Sequence, residues 1–276
     1  MNIYVNGDSY TAGSELTDWV LPGFPGYNSV GPPIAGEVSK EIREWTTLKW
    51  QEASKHYGST DNYIKAEKSL AWPAELSKLD SKLFVDNGSK NGASMTGIAH
   101  RTIADLLMNK AQGIAFDRVF IQLTSCNRFE IYDVNIPQQK FIVDKQVGWI
   151  DNLPEKTQRE LGKSYVAQYK DADYAIKFLY NLCTLKQAVK GLTGQEPIIL
   201  SSLFFFTNNV ITPLKDNTNP LIQTLLKESG ILDIADEDCM MTVHKDNNFL
   251  YLPVSHFEHR THQAYAKIIY NKYIKL

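Results

Sequence analysis

Residues 2–13, NIYVNGDSYTAG, set a short apolar run against a small polar turn. Asn2 to Asn6 reads as a buried strand. Gly7-Asp8-Ser9 then places a hydroxyl at its carboxyl end, the edge of an open α/β sheet where ligands and catalytic groups collect. Ser9 is therefore a candidate nucleophile. An ordinary strand-to-loop turn or a helix N-cap is the other reading, because Gly, Asp and Ser all form turns and caps.

Other apolar runs decide between these by showing what kind of sheet the first strand joins. KLFVDNG (82–88), FDRVFIQL (116–123) and EPIILSSLFFF (196–206) read as three further strands. The last is apolar throughout, as expected of a strand covered on both faces. Helical spacing separates them in SLAWPAELSKLD (69–80), SMTGIAHRTIADLLMNKA (94–111) and the long amphipathic SYVAQYKDADYAIKFLYNLCTLKQAVKGL (164–192), and returns in PLIQTLLKES (220–229) and HRTHQAYAKIIYNKYI (259–274). Strand and helix in alternation predict a three-layer α/β/α sandwich around a mostly parallel sheet. Two segments interrupt this pattern. Residues 14–70, rich in Gly, Pro and aromatic side chains including Trp19, Tyr27, Trp45 and Trp50, read as a lid or binding loop; residues 129–163, broken by Pro137 and Pro154, read as a second insertion.

The 276 residues suffice for one substantial core, so a single α/β domain carrying these insertions is expected. Twenty-nine basic against 31 acidic side chains, with no basic block, leave no electrostatic footprint for nucleic acid. Cys126, Cys183 and Cys239 are odd in number and far apart, which suggests neither a disulfide framework nor a zinc knuckle. No basic segment followed by a long apolar run opens the chain, and no stretch of about 18 apolar residues occurs. A soluble, cytoplasmic protein without a membrane partner is the expectation.

In chain order, four blocks carry polar residues at strand ends or before the last helix: GDSYTAG (7–13), NGSKNGASMTGI (87–98), TSCNRFE (124–130) and SHFEHRTHQAYA (255–266). Together they resemble the blocks of the SGNH (GDSL-type) hydrolase family, whose sheet is flavodoxin-like. The resemblance implies Ser9 as nucleophile, His256 as base, and the backbone N–H groups of Ser9 and Gly92 as oxyanion donors, with Asp8 organising the turn. The third block departs from the family's Gly-x-Asn-Asp. Read without gaps, Cys126 takes the Asn position; slipped by one, Asn127 becomes the third donor. Its T-S-x-x-R-x-E run also looks like a divergent, phage-type branch in which Arg128 and Glu130 replace the usual residues. Arg128 then binds a substrate carboxylate or phosphate through its planar fork, or forms a solvent-facing ion pair.

In the fourth block the family's Asp before the His is replaced by Pro253 and Val254, which leaves a Ser-His dyad or an orienting acid from elsewhere, Glu258 among them. His259 is the second candidate base. His256, His259 and His262 recur every third residue, but that spacing does not converge like the i, i+4 pair of a metal motif, so neither metal nor cofactor is expected. The implied activity is a serine esterase on a small-molecule or carbohydrate ester, including sugar O-acetyl groups. A non-catalytic binding module on the same scaffold, or an acyltransferase using the same residues, are the alternatives.

Overall fold

The first strand, β1 (Asn2–Asn6), is buried on both sides. In the computed structural model it lies inside a four-stranded parallel sheet with β2 (Phe84–Asn87), β3 (Arg118–Leu123) and β6 (Ile198–Ser201), in the order β2-β1-β3-β6. The structure describes residues 1–14, 16, 55, 57–126, 128–132, 140–144, 156, 159–160, 162–164, 171–203, 211, 214–249 and 256–275.

Alternation along the strands divides the core in two. Tyr4, Val119, Ile121 and Leu123 face one side, where they meet α4 (Met95–Ala111), α5 (Asp171–Thr193) and α6 (Pro220–Ser229). Ile3, Val5 and Phe120 face the other, against α3 (Trp72–Leu79), α7 (Met240–Asp246) and α8 (His259–Ile269). Each large apolar side chain fully buried this way contributes about 1.5–3 kcal/mol. This is the three-layer α/β/α arrangement that the alternating pattern predicts, and the strand order is the flavodoxin-like one.

The strands are shorter than the apolar runs suggest. Pairing of β6 with β3 ends at Ser201, and β2 is an edge strand whose Phe84 stays 57% exposed. Of the expected lid, α2 (Thr60–Leu70) is described, capped by Ser59 Oγ on the Asn62 amide. Trp19, Tyr27, Trp45 and Trp50 lie outside the described residues. The second insertion opens as an antiparallel hairpin, β4 (Arg128–Tyr132) with β5 (Lys140–Asp144), in which Arg128 faces Asp144 and Tyr132 faces Lys140. Arg128 and Glu130 therefore belong to a strand and not to a loop. No helix among the described residues is long and apolar enough to cross a membrane.

Candidate active site

The strand order reverses between β1 and β3, and in such sheets the crevice beyond the carboxyl ends at that point is the ligand site. Just beyond the two strand ends, Asp8 after β1 and Thr124 after β3 bond to each other. Asn6 closes β1: its Oδ1 accepts from the Gly7 amide (2.8 Å), and its Nδ2 donates to Thr102 Oγ1 (3.0 Å). Asp8 then caps the one-turn helix α1 (Ser9–Ala12), Oδ1 accepting from the Tyr10 amide at 3.1 Å. The Ser9 N–H is in the first turn, whose amides have no partner within the helix. Ser9 itself is 7% exposed.

A turn this tight requires Gly7. A Cβ there would stand 2.0 Å from Thr11 Oγ1, which donates to Gln122 Oε1 on β3 at 2.5 Å. Gln122 Oε1 also accepts from Trp72 Nε1 at 2.9 Å. Gln122 is a fully buried amide in the otherwise apolar run 119–123 of β3. Sequence reading passed over it, though a lone polar residue inside VFIQL is the kind of signal that marks a buried network.

The loop after β2 is laced to the same place. Gly88 N donates to Val5 O (2.9 Å) and Lys90 N to Gly7 O (3.3 Å). Ala93 N closes a turn on Lys90 O at 3.2 Å, with Gly92 at φ 71°. A positive φ at the third turn position calls for glycine. Ser94 then caps α4, accepting from the Gly97 amide.

After β3, Thr124 Oγ1 donates to Asp8 Oδ2 at 3.0 Å, spanning the switch point. Arg128 Nη1 reaches the same oxygen at 3.3 Å, Thr124 Oγ1 at 3.1 Å and the Ala93 carbonyl at 3.5 Å. The Asp8 and Arg128 side chains are only 3% and 11% exposed, so the solvent-facing ion pair expected as one reading of Arg128 is replaced by a buried one. Burial pushes the Asp8 carboxyl above the ordinary carboxylate value; Arg128 foremost, then Thr124 and the Tyr10 amide, act against that rise. Cys126 is buried among the apolar side chains of the α4–α5 side. Asn127 lies outside the described residues, as do Pro253 and Val254, and nothing is described of the Glu130 side chain.

His256 comes to this edge through aromatic packing. Its ring centroid is 5.0 Å from that of Tyr10, the residue after Ser9, and Tyr10 in turn packs on Phe257 at 4.9 Å. The other two histidines of the triplet have other partners. His259 Nε2 meets Glu75 Oε1 at 2.9 Å, and buried His262 accepts from the Trp72 amide through Nδ1 at 3.1 Å. Burial holds His262 well below the ordinary imidazole value, so it stays neutral. Glu258 takes both guanidinium contacts of Arg260, at 2.6 and 3.0 Å. Among the described residues no three His, Cys, Asp or Glu side chains gather into a metal site.

No protein-family model and no curated protein matches the chain. In overall course the chain is similar to three solved structures. One is a protein assigned to the lipolytic G-D-S-L family from Desulfitobacterium hafniense DCB-2, 14% identical, with 98% of each chain covered and a TM-score of 0.45. Another is a member of the lipolytic G-D-S-L family from Veillonella parvula DSM 2008, 11% identical, with both chains covered in full and a TM-score of 0.41. The third is LAE5, an alpha/beta hydrolase enzyme from the metagenome of Lake Arreo, Spain, 13% identical over 98% of this chain and 93% of that one, with a TM-score of 0.43.

Proposed function

We propose that the protein is a serine-dependent ester hydrolase with Ser9 as nucleophile and His256 as general base. The observation that carries this reading is the placement of Ser9 at the switch-point crevice, in the first helical turn after β1, with the next residue packed against the His256 ring. His256 takes the Ser9 proton as Oγ attacks the acyl carbon. The oxyanion is held by the backbone N–H groups of Ser9 and Gly92, aimed where charge develops. Collapse expels the alcohol, which leaves with the proton from His256, and water then repeats the sequence to free the acid. Asp8 is not the base: its two oxygens are engaged by the Tyr10 amide, Thr124 and Arg128. The substrate class proposed is a small-molecule or carbohydrate ester.

A fluorophosphonate probe tests the reading without knowledge of the substrate. Labelling mapped to Ser9 by mass spectrometry, abolished in Ser9→Ala and strongly slowed in His256→Ala, is the expected result. Absence of labelling in folded wild-type protein would overturn it and leave a binding module on this scaffold. Release of acid rather than transfer to an added alcohol or sugar separates hydrolysis from acyl transfer.

A further inference from the structure

We propose that Arg128 is a positioning residue that clamps the Ser9 turn, the Gly92 turn and the end of β3 into one unit, acting through Asp8 and the Ala93 carbonyl. Its role as an organiser of the site rests on the hydrolase reading above; the clamp itself does not.

Three segments that are distant in sequence meet at one guanidinium nitrogen. Nη1 of Arg128 lies within hydrogen-bond reach of Asp8 Oδ2, immediately before Ser9, of Ala93 O, immediately after Gly92, and of Thr124 Oγ1 at the end of β3. Asp8 divides its carboxylate accordingly. One oxygen caps α1 at the Tyr10 amide, and the other takes Thr124 and Arg128, so any shift of the guanidinium is passed to the turn that carries Ser9. The backbone contacts from Lys90 N to Gly7 O and Gly88 N to Val5 O tie the β2 loop to β1 upstream of Gly92. Arg128 supplies the tie downstream of it, so the Gly92 turn is held on both sides.

The clamp is also electrostatic. Asp8 is buried beside the place where an oxyanion would form, and an uncompensated carboxylate there would oppose that charge. Arg128 is the cation against it, and its own burial means the pair is little screened by solvent. The hairpin explains how Arg128 gets there: its amide closes a turn on Ser125 O at 3.2 Å, and pairing with Asp144 across β4 and β5 fixes the backbone from which the side chain reaches back.

The test uses Arg128→Met, Asp8→Asn, the double variant and Arg128→Lys, each read by urea unfolding, fluorophosphonate labelling and turnover of p-nitrophenyl acetate. Arg128→Met is expected to lower kcat at least tenfold with KM for this neutral ester changed less than threefold. The double variant is expected to recover part of that loss, because Asp8→Asn removes the charge that Arg128 no longer balances, and unfolding is to show the same non-additivity. Arg128→Lys keeps the charge without the fork and falls between wild type and Arg128→Met, which also serves if the Met variant does not fold. Additive effects of Asp8→Asn and Arg128→Met on stability and labelling would overturn the clamp. So would a variant whose only defect is a raised KM for an anionic ester, p-nitrophenyl hemisuccinate, since Arg128 would then be a substrate ligand. If wild type neither labels nor turns over but the stability coupling is present, the hydrolase reading fails and the clamp stands.

Discussion

Gly7→Ala is expected to be the most damaging single-methyl change in the described part of the chain. The added carbon would lie 2.0 Å from Thr11 Oγ1, 2.8 Å from Thr11 Cβ and 3.1 Å from Gln122 Cβ. Thr11 has nowhere to retreat, since it sits on a one-turn helix and its hydroxyl is held by Gln122, which is itself fixed by Trp72. Overpacking a tight site costs about 1–3 kcal/mol, and the buried Thr11 hydroxyl losing its acceptor costs about 1–3 kcal/mol more, since Gln122 Oε1 keeps Trp72. The expected destabilisation is the sum of these, about 2–6 kcal/mol. Urea unfolding at unchanged m-value measures it. Gly191→Ala in α5 is the control: a Cβ there meets nothing within 4 Å, and the substitution should stabilise by about 0.5–1 kcal/mol through helix propensity. Because the strain falls on the turn that carries Ser9, fluorophosphonate labelling of Gly7→Ala should slow even under conditions where the variant is folded. A Gly7→Ala protein within about 0.5 kcal/mol of wild type, the range of an inconsequential surface change, would refute the claim that this turn is sterically fixed.

Gly92→Ala places an L side chain at φ 71° and should cost about 1–2 kcal/mol in urea unfolding, with slower labelling of Ser9 as the turn relaxes. His256→Ala should slow labelling by the roughly 10²–10⁴-fold of a lost general base, whereas His259→Ala, which breaks a part-buried pair but leaves Glu75 its Lys78 partner, should leave the labelling rate unchanged and cost less than about 1 kcal/mol. Burial lowers the His244 imidazole to about 4 and holds His262 lower than its ordinary value as well. Both are neutral when folded, so the unfolded chain takes up protons first, near the ordinary imidazole value of about 6.5. These two groups should therefore leave stability level above about pH 7.5 and lower it as pH falls through about 6.5 toward 4, with both ring signals still untitrated by proton NMR at about pH 5.5.

The layered fold was legible in the sequence because its signals are local. Alternation in NIYVN and VFIQL and helical spacing in the segments between them state which faces are apolar, and burying those faces leaves few arrangements open. The sequence alone also placed Ser9 and Gly92 at strand ends, since a small polar turn after an apolar run has only the sheet edge to occupy. What it did not state is which polar side chains share a space. Arg128 and Asp8 are 120 residues apart, and nothing in either neighbourhood says that the guanidinium folds back under the Ser9 turn instead of facing water. Only the hairpin of β4 and β5, hidden inside what reads as an irregular insertion, fixes that. The histidine triplet shows the same limit: three residues at equal spacing have one chemistry in the sequence, but tertiary packing gives His256 to Tyr10, His259 to Glu75 and His262 to the Trp72 amide. Periodicity determines which face of an element is buried, because solvation acts on each residue separately. The partner of a buried charge or imidazole depends on long-range closure of the chain, and that is decided in three dimensions.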